Sequence, residues 1–265
     1  MNRIILGILT LSGLGFGFGL LLAWMSKKFH VEVDRRIMKI SEILPGVNCG
    51  ACGLAGCSGF AEALVNNAVN INACVACSGE NKKAILEILG VQADETSTDA
   101  GQIAVMHCGG GMKCKDRFLY RGLKDCLIAA QTIGGHKACK YGCLGQGNCV
   151  AVCPFGAIVI LENKTPQVST QLCRGCKKCV AACPRKIISM MYVKKKVYIK
   201  CVSREKAADK ARKCKASCIA CGKCVKECSQ GAIAINDNLA QINYETCVGC
   251  QKCVAVCPTK VIAVI

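Results

Sequence analysis

The sequence predicts an α+β fold: one long apolar helix, a small helical domain, and two tandem modules of short strands and helices. Three observations predict it. Residues Ile4 to Met25 give about 22 uncharged, mostly apolar positions at the N-terminus. Twenty-six of 265 residues are cysteine, and they fall in runs of fixed spacing. Residues 126–183 recur as 201–257 at an offset of 75, slipping to 74 near the end. Aromatics make up only 5% of the chain, so small domains here bury modest apolar cores and need some other staple.

The first element is the apolar run. About 22 such residues span a bilayer as one helix. Lys27, Lys28, Arg35, Arg36 and Lys39 follow it, against only Arg3 and the α-amine before it. The positive-inside rule therefore predicts a single-pass anchor over 1–28 in the cytoplasmic membrane, with the cysteine-rich body on the cytoplasmic side. The run is long for a cleaved signal, and Trp24-Met25-Ser26-Lys27 is a poor cleavage site. The pairs Gly13/Gly17 and Gly15/Gly19 permit close approach of another transmembrane helix. No strand precedes these glycines and no acidic residue follows at the right distance, so they do not read as a nucleotide loop.

The next domain covers 29–92. Val31 to Leu44 has the spacing of an amphipathic helix that ends at Pro45, and Phe60 to Asn66 reads as a second helical stretch. Cys49-x2-Cys52-x4-Cys57 with a distant Cys74 supplies four thiolates and no histidine, a set for a single [4Fe-4S] cluster. The interleaved glycines let backbone amides approach the cluster sulfurs. Cys77 is a spare thiol. Residues 93–125 then read as a linker, polar at Asp94-Glu-Thr-Ser-Thr-Asp99 and carrying extra cysteines further on.

Two repeated modules follow, over 126–195 and 196–265. Cys218-x2-Cys221-x2-Cys224-x3-Cys228 precedes Cys247-x2-Cys250-x2-Cys253-x3-Cys257-Pro258, the spacing of bacterial ferredoxins, in which the fourth cysteine of each run ligates the other run's cluster. One cluster takes Cys218, Cys221, Cys224 and Cys257; another takes Cys228, Cys247, Cys250 and Cys253. In the first module Cys153, Cys173, Cys176 and Cys179 form the equivalent of the latter set. Each half-motif ends in a β-prone run, at Ala157–Leu161, Ile187–Met191, Ala232–Ile235 and Val261–Ile265. A ferredoxin-like βαβ pair per module is the expected architecture.

The first module departs from the second at one ligand: Gln146 stands where the repeat has Cys221. Either a [3Fe-4S] cluster results, or Cys139 swings in to complete a cubane with Cys143, Cys149 and Cys183. Cys108, Cys114 and Cys126 suggest a sixth cluster that needs one more thiolate, while Cys201 and Cys214 stay unassigned. The expected cofactors are thus at least five [4Fe-4S] clusters, with a three-iron cluster or a sixth cubane as the open alternatives.

Competing uses of cysteine fit less well. C-x2-C-x2-C is poor disulfide geometry, and a disulfide framework calls for a secreted chain. Zinc ribbons use C-x2-C pairs but need no third and fourth cysteine followed by proline. The formal charge of +18 overstates basicity, because five clusters with their thiolates at net −2 each bring it to about +8. A nucleic-acid partner is not expected from that balance; an acidic protein or anionic lipid is.

A membrane anchor, then Cys49-x2-Cys52-x4-Cys57…Cys74, then a polyferredoxin resembles the B subunit of the Rnf complex. Tyr120-Arg-Gly-Leu-Lys-Asp-Cys126…Cys139-Lys-Tyr-Gly-Cys143-Leu-Gly resembles the longer form found in anaerobic bacteria. Two departures stand out: Ser229 follows Cys228 where proline is usual, and Val-Ala-Cys77 follows Cys74 where the family commonly turns on proline and glycine. The resemblance implies a subunit of an ion-translocating oxidoreductase that passes electrons between reduced ferredoxin and NAD. Soluble ferredoxin and other Rnf-type membrane and flavin-bearing subunits are the implied partners. No dinucleotide fingerprint or haem motif occurs and the only histidines are His30, His107 and His136, so a relay without a substrate-level catalytic site is expected. A membrane-tethered polyferredoxin of another oxidoreductase, such as a hydrogenase or reductase, is the alternative.

Overall fold

The computed structural model describes residues 2–29, 34–91 and 101–265. The stretch Asp94–Asp99 and the start of the expected helix at Val31 lie outside these residues. Helix α1 (Asn2–Lys28) has 27 residues, about 40 Å at 1.5 Å per residue. Its large apolar side chains, from Ile5 to Met25, are exposed to the surroundings and pack on no core. By length and composition the segment Ile5–Lys28 is able to cross a membrane.

Three helices build the next core. Helix α2 (Arg35–Ile43) starts where the Asp34 carboxylate accepts from the Arg36 N–H at 2.8 Å, and it stops because Leu44, before Pro45, is extended. Helix α3 (Gly56–Val65) and helix α4 (Gly79–Leu89) follow, the latter capped by the Ser78 hydroxyl and closed by Gly90 at φ 68°. Ile40, Phe60, Leu64, Ile71 and Ile85 are buried together with Cys74 and Cys77. Asn81 Nδ2 donates to the Ile43 carbonyl at 2.8 Å and ties α4 to α2.

The remainder repeats one order of elements. Its first half runs β1 (Gln102–Met106), α5 (Cys126–Gln131), α6 (Asn148–Ala151), β2 (Ile158–Ile160), β3 (Pro166–Val168), α7 (Lys178–Ala182) and β4 (Ile188–Tyr192). The second half runs β5 (Val197–Ile199), α8 (Ala207–Lys213), α9 (Lys223–Glu227), β6 (Ile233–Asn236), β7 (Leu239–Ile242), α10 (Lys252–Ala255) and β8 (Ile262–Val264). In each half the inner strands form an antiparallel hairpin, β2 with β3 and β6 with β7. The last strand of each half pairs antiparallel with its first, β4 with β1 and β8 with β5.

Each of the four expected β-prone runs overlaps a strand, two of which run one residue further, to Tyr192 and Asn236. The segment expected as a linker differs: Gln102–Met106 is a strand with Ile103, Ala104, Val105 and Met106 buried, in register from Gln102↔Tyr192 to Met106↔Ile188. The physical reason is that Ile188–Tyr192 alone would leave a ladder of unpaired backbone groups, and β1 satisfies one side of it.

The halves are joined by hydrogen bonds. Gly109 N–H donates to Lys200 O at 3.0 Å, Lys115 N–H to Lys213 O at 2.8 Å, and Lys215 N–H to Lys113 O at 3.1 Å. His107, largely buried, sets Nδ1 2.7 Å from the Ile199 carbonyl and Nε2 2.6 Å from Ser189 Oγ. A carbonyl only accepts, so Nδ1 carries the proton. Burial holds the ring below its ordinary pKa, so it is neutral and Nε2 accepts from the serine hydroxyl.

Candidate metal centres

Each of the short helices α6, α7, α9 and α10 carries one buried cysteine at its second position: Cys149, Cys179, Cys224 and Cys253. A left-handed residue precedes each helix, at Gly147, Lys177, Gly222 and Gln251, and reverses the chain so that the preceding cysteines face the same space. The longer step after the helix sends the next cysteine to the neighbouring space.

Cys153, Cys173, Cys176 and Cys179 line one cavity with about 310 Å³ of atom-free space. Cys228, Cys247, Cys250 and Cys253 line its counterpart in the second half, with about 370 Å³. Cys224 is pushed above its ordinary value by burial first and then by the charges of Cys218, Cys221 and Cys257, so these four are neighbours. In the N-terminal domain Cys74 and Cys77 are hydrogen-bonded to one another. The bond holds Cys74 down at about 6 and pushes Cys77 up, and Cys57 also acts on Cys77. Asn48 positions Cys57: its Oδ1 accepts the Cys57 N–H at 2.7 Å. Gly56, at φ 88°, is required there, since a Cβ would fall 2.7 Å from that same oxygen.

Two expectations change in the first half. The cavity holding Cys143, Cys149 and Cys183 is completed by Cys126, not Cys139, and has about 320 Å³ of atom-free space. Asn148 explains this. Its Oδ1 accepts the Cys126 N–H at 2.6 Å and its Nδ2 donates to Asp125 Oδ2 at 2.8 Å, which fastens the start of α5 beside α6. Cys139 is held away because Ala138 N–H donates to Lys115 O at 2.8 Å and Lys137 pairs with Asp116. Cys139 instead lines a different cavity with Cys108, Cys114, Cys143, Cys201 and Cys214, and Cys126 is absent from that group. The sequence held one signal for Cys126: asparagine stands at 148 where the repeat has Lys223.

The electrostatics suit a cationic core. Burial first, and mutual repulsion second, push Cys143 up to about 12, Cys149 to about 11, Cys179 to about 12 and Cys253 to about 11. Four such thiols ionise together only around positive charge, which iron supplies. Backbone amides already face the sulfurs: Ala157 N–H donates to Cys153 Sγ and Ala232 N–H to Cys228 Sγ, both at 3.3 Å, and Ala104 N–H to Cys173 Sγ at 3.4 Å. N–H···S bonds of this kind stabilise a reduced, more negative cluster. Among the described residues no three Cys, His, Asp or Glu side chains close in on a single ion. Four thiols around a common cavity, with backbone amides facing their sulfurs, fit iron–sulfur groups.

Known proteins match this chain throughout. A family model described as an Fe-S cluster matches residues 44–76. Two models of a 4Fe-4S dicluster domain match residues 138–188 and 172–233, and residues 217–261. The B subunit of the ion-translocating oxidoreductase complex of Methanosarcina acetivorans is 38% identical over 96% of this chain and 96% of its own length. The B subunit of the Na(+)-translocating ferredoxin:NAD(+) oxidoreductase complex of Acetobacterium woodii is 40% identical over 90% of this chain and 71% of its own. The B subunit of the proton-translocating ferredoxin:NAD(+) oxidoreductase complex of Clostridium ljungdahlii is 37% identical over 92% of this chain and 85% of its own. With 37–40% identity to these relatives over 90–96% of its length, the chain belongs to the family of B subunits of the ion-translocating oxidoreductase complex, the Rnf complex.

Proposed function

We propose that this chain is the electron-relay subunit of a ferredoxin:NAD oxidoreductase complex that moves sodium ions or protons, taking electrons from soluble ferredoxin and handing them toward membrane-bound, flavin-bearing partners. The gathering of Cys153, Cys173, Cys176 and Cys179, and of Cys228, Cys247, Cys250 and Cys253, each around one cavity, carries the reading. A bound [4Fe-4S] group takes up and returns one electron at low potential. The ligand sets are Cys49, Cys52, Cys57 and Cys74; Cys126, Cys143, Cys149 and Cys183; Cys153, Cys173, Cys176 and Cys179; Cys218, Cys221, Cys224 and Cys257; and Cys228, Cys247, Cys250 and Cys253. The match of residues 44–76 to the Fe-S cluster model includes Cys74 and stops short of Cys77, which supports Cys74 as the fourth ligand of the first set.

The two halves act as tandem ferredoxin-like modules, and α1 anchors them with the lysine-flanked end and the cysteine domains in the cytoplasm. Cys221 and Cys250 are the exposed cysteines, so the centres they help hold lie nearest an incoming protein partner. Anaerobically reconstituted protein is expected to be brown, to hold at least about 20 irons and equal acid-labile sulfide per chain as cubanes, and to be reduced reversibly by ferredoxin. Tightly bound zinc without labile sulfide would overturn the reading.

A further inference from the structure

The four cysteine runs end differently. Phe155 follows Cys153-Pro154, Gln230 follows Cys228-Ser229 and Thr259 follows Cys257-Pro258, whereas Arg185 follows Cys183-Pro184. Among the described residues Arg185 is also the one lysine, arginine, aspartate or glutamate that lines the cavity of Cys126, Cys143, Cys149 and Cys183. Arg174 and Lys177 border the Cys153 cavity and Lys252 the Cys228 cavity, but these three are exposed, so water and salt screen them. Arg185 is partly buried and clamped. Its Nη2 donates to the Gly134 carbonyl at 2.5 Å, and a Cβ at Gly135, φ 91°, would run into that same nitrogen. Its Nε is buried and meets no acceptor among the described residues. Arg117 reaches the same loop, Nη2 donating to the Ile133 carbonyl at 2.6 Å and the Gly135 carbonyl at 2.5 Å. Two guanidiniums thus gather on three neutral carbonyls, and among the described residues no carboxylate pairs with either.

We propose that the Arg185 guanidinium raises the reduction potential of the centre held by Cys126, Cys143, Cys149 and Cys183, and so makes that centre a resting place for electrons passing along the chain. A guanidinium keeps its charge at any physiological pH. Held by neutral carbonyls and partly out of water, it calls for an anion. Four thiolates around a [4Fe-4S] core supply about −2, and about −3 once one electron is added. A fixed cation on the cavity wall therefore favours the reduced form over the oxidised one. The transfer moves one electron from a neighbouring reduced centre to this one, and neither a bond nor a proton changes place. The one acid beside a ligand of this set, Asp125, opposes the effect little. It does not line the cavity, and its carboxylate already accepts from the N–H groups of Leu127 and Ile128 and from Asn148 Nδ2. In the second half Thr259 stands at the position of Arg185, its hydroxyl 3.8 Å from Cys257 Sγ, and brings no charge. The same run of cysteines thus folds without an arginine, which separates the charge from any need of the fold.

The proposal rests on the ligand sets given above, and iron content separates its failure from theirs. Full-length protein in detergent, reconstituted anaerobically, is poised at a series of potentials while its electron-spin signals are followed. The reduced-state signal that Cys126→Ser removes marks the centre. Arg185→Gln is expected to keep its iron and labile sulfide, to lower the midpoint of that signal by about 59 mV, a tenfold change in its reduction equilibrium, and to leave the other signals in place. Arg185→Lys keeps the charge and is expected to hold most of the original midpoint. An unchanged midpoint in Arg185→Gln overturns the proposal while the centres stand. A midpoint as low in Arg185→Lys as in Arg185→Gln also overturns it, because hydrogen bonds rather than charge would then be acting. Loss of about four irons, or of the folded protein, in Arg185→Gln assigns the residue a structural role and overturns it too. Labile sulfide absent from the unmodified chain, or a Cys126→Ser variant that removes no signal, overturns the ligand set and the proposal together.

Discussion

At the scale of the residue, the exchange of Cys139 for Cys126 changes what a mutation should do. Gln146 turns its amide back to the Leu144 carbonyl at 3.2 Å and offers only a neutral oxygen to iron. Cys126→Ser is therefore expected to leave three thiolates, Cys143, Cys149 and Cys183, and to produce a three-iron signal in the oxidised protein. Adding Gln146→Cys should restore four-iron character, because it recreates the spacing of Cys218, Cys221 and Cys224. A three-iron signal already present in the unmodified chain and indifferent to Cys126→Ser would refute this. Spacing alone could indicate that Gln146 breaks a run, since that is local arithmetic. It could not choose the replacement, because Cys126 and Cys139 both precede Cys143 and the choice is made by hydrogen bonds of Asn148 and Lys115.

At the scale of the element, the short strands were readable and their partners were not. Ile187–Met191 and Val261–Ile265 announce themselves by β-branched and apolar residues, but antiparallel pairing with β1 and β5 spans 82 or more residues in the first half. Gln102–Met106 sits beside a polar stretch, which gives it the look of a linker. The most consequential contact between elements is the His107 ring, which bonds β4 through Ser189 and β5 through Ile199. His107→Ala is expected to orphan a buried carbonyl and a hydroxyl and to lower the stability of the joined halves by about 2 kcal/mol. Urea unfolding followed by cluster absorbance checks this, and an unchanged midpoint would show that the ring ties nothing.

At the scale of the whole molecule, the apolar helix α1 and the cysteine-rich body are expected to be separable. Helix α1 supplies no cysteine and its apolar side chains find no core, so deleting residues 1–28 is expected to give soluble protein with its full iron content. Sedimentation of the truncated chain with washed membranes would show that something other than α1 holds it there. The body has a different internal logic, visible in the crossed cavities, where Cys183 serves the cysteines around α6 and Cys153 serves those around α7. Ribosomes deliver the chain from its N-terminus. In the proposed ligand sets, Cys126, Cys143 and Cys149 therefore wait, incomplete, until Cys183 emerges, and Cys218, Cys221 and Cys224 wait for Cys257. One centre of each half has its full set at Cys179 or Cys253 and the other at Cys183 or Cys257, so both centres close only as the end of that half emerges, and iron enters each half as a late, paired event. A cell short of iron would accumulate chains lacking centres two at a time, with the half made first filled and the half made last still empty.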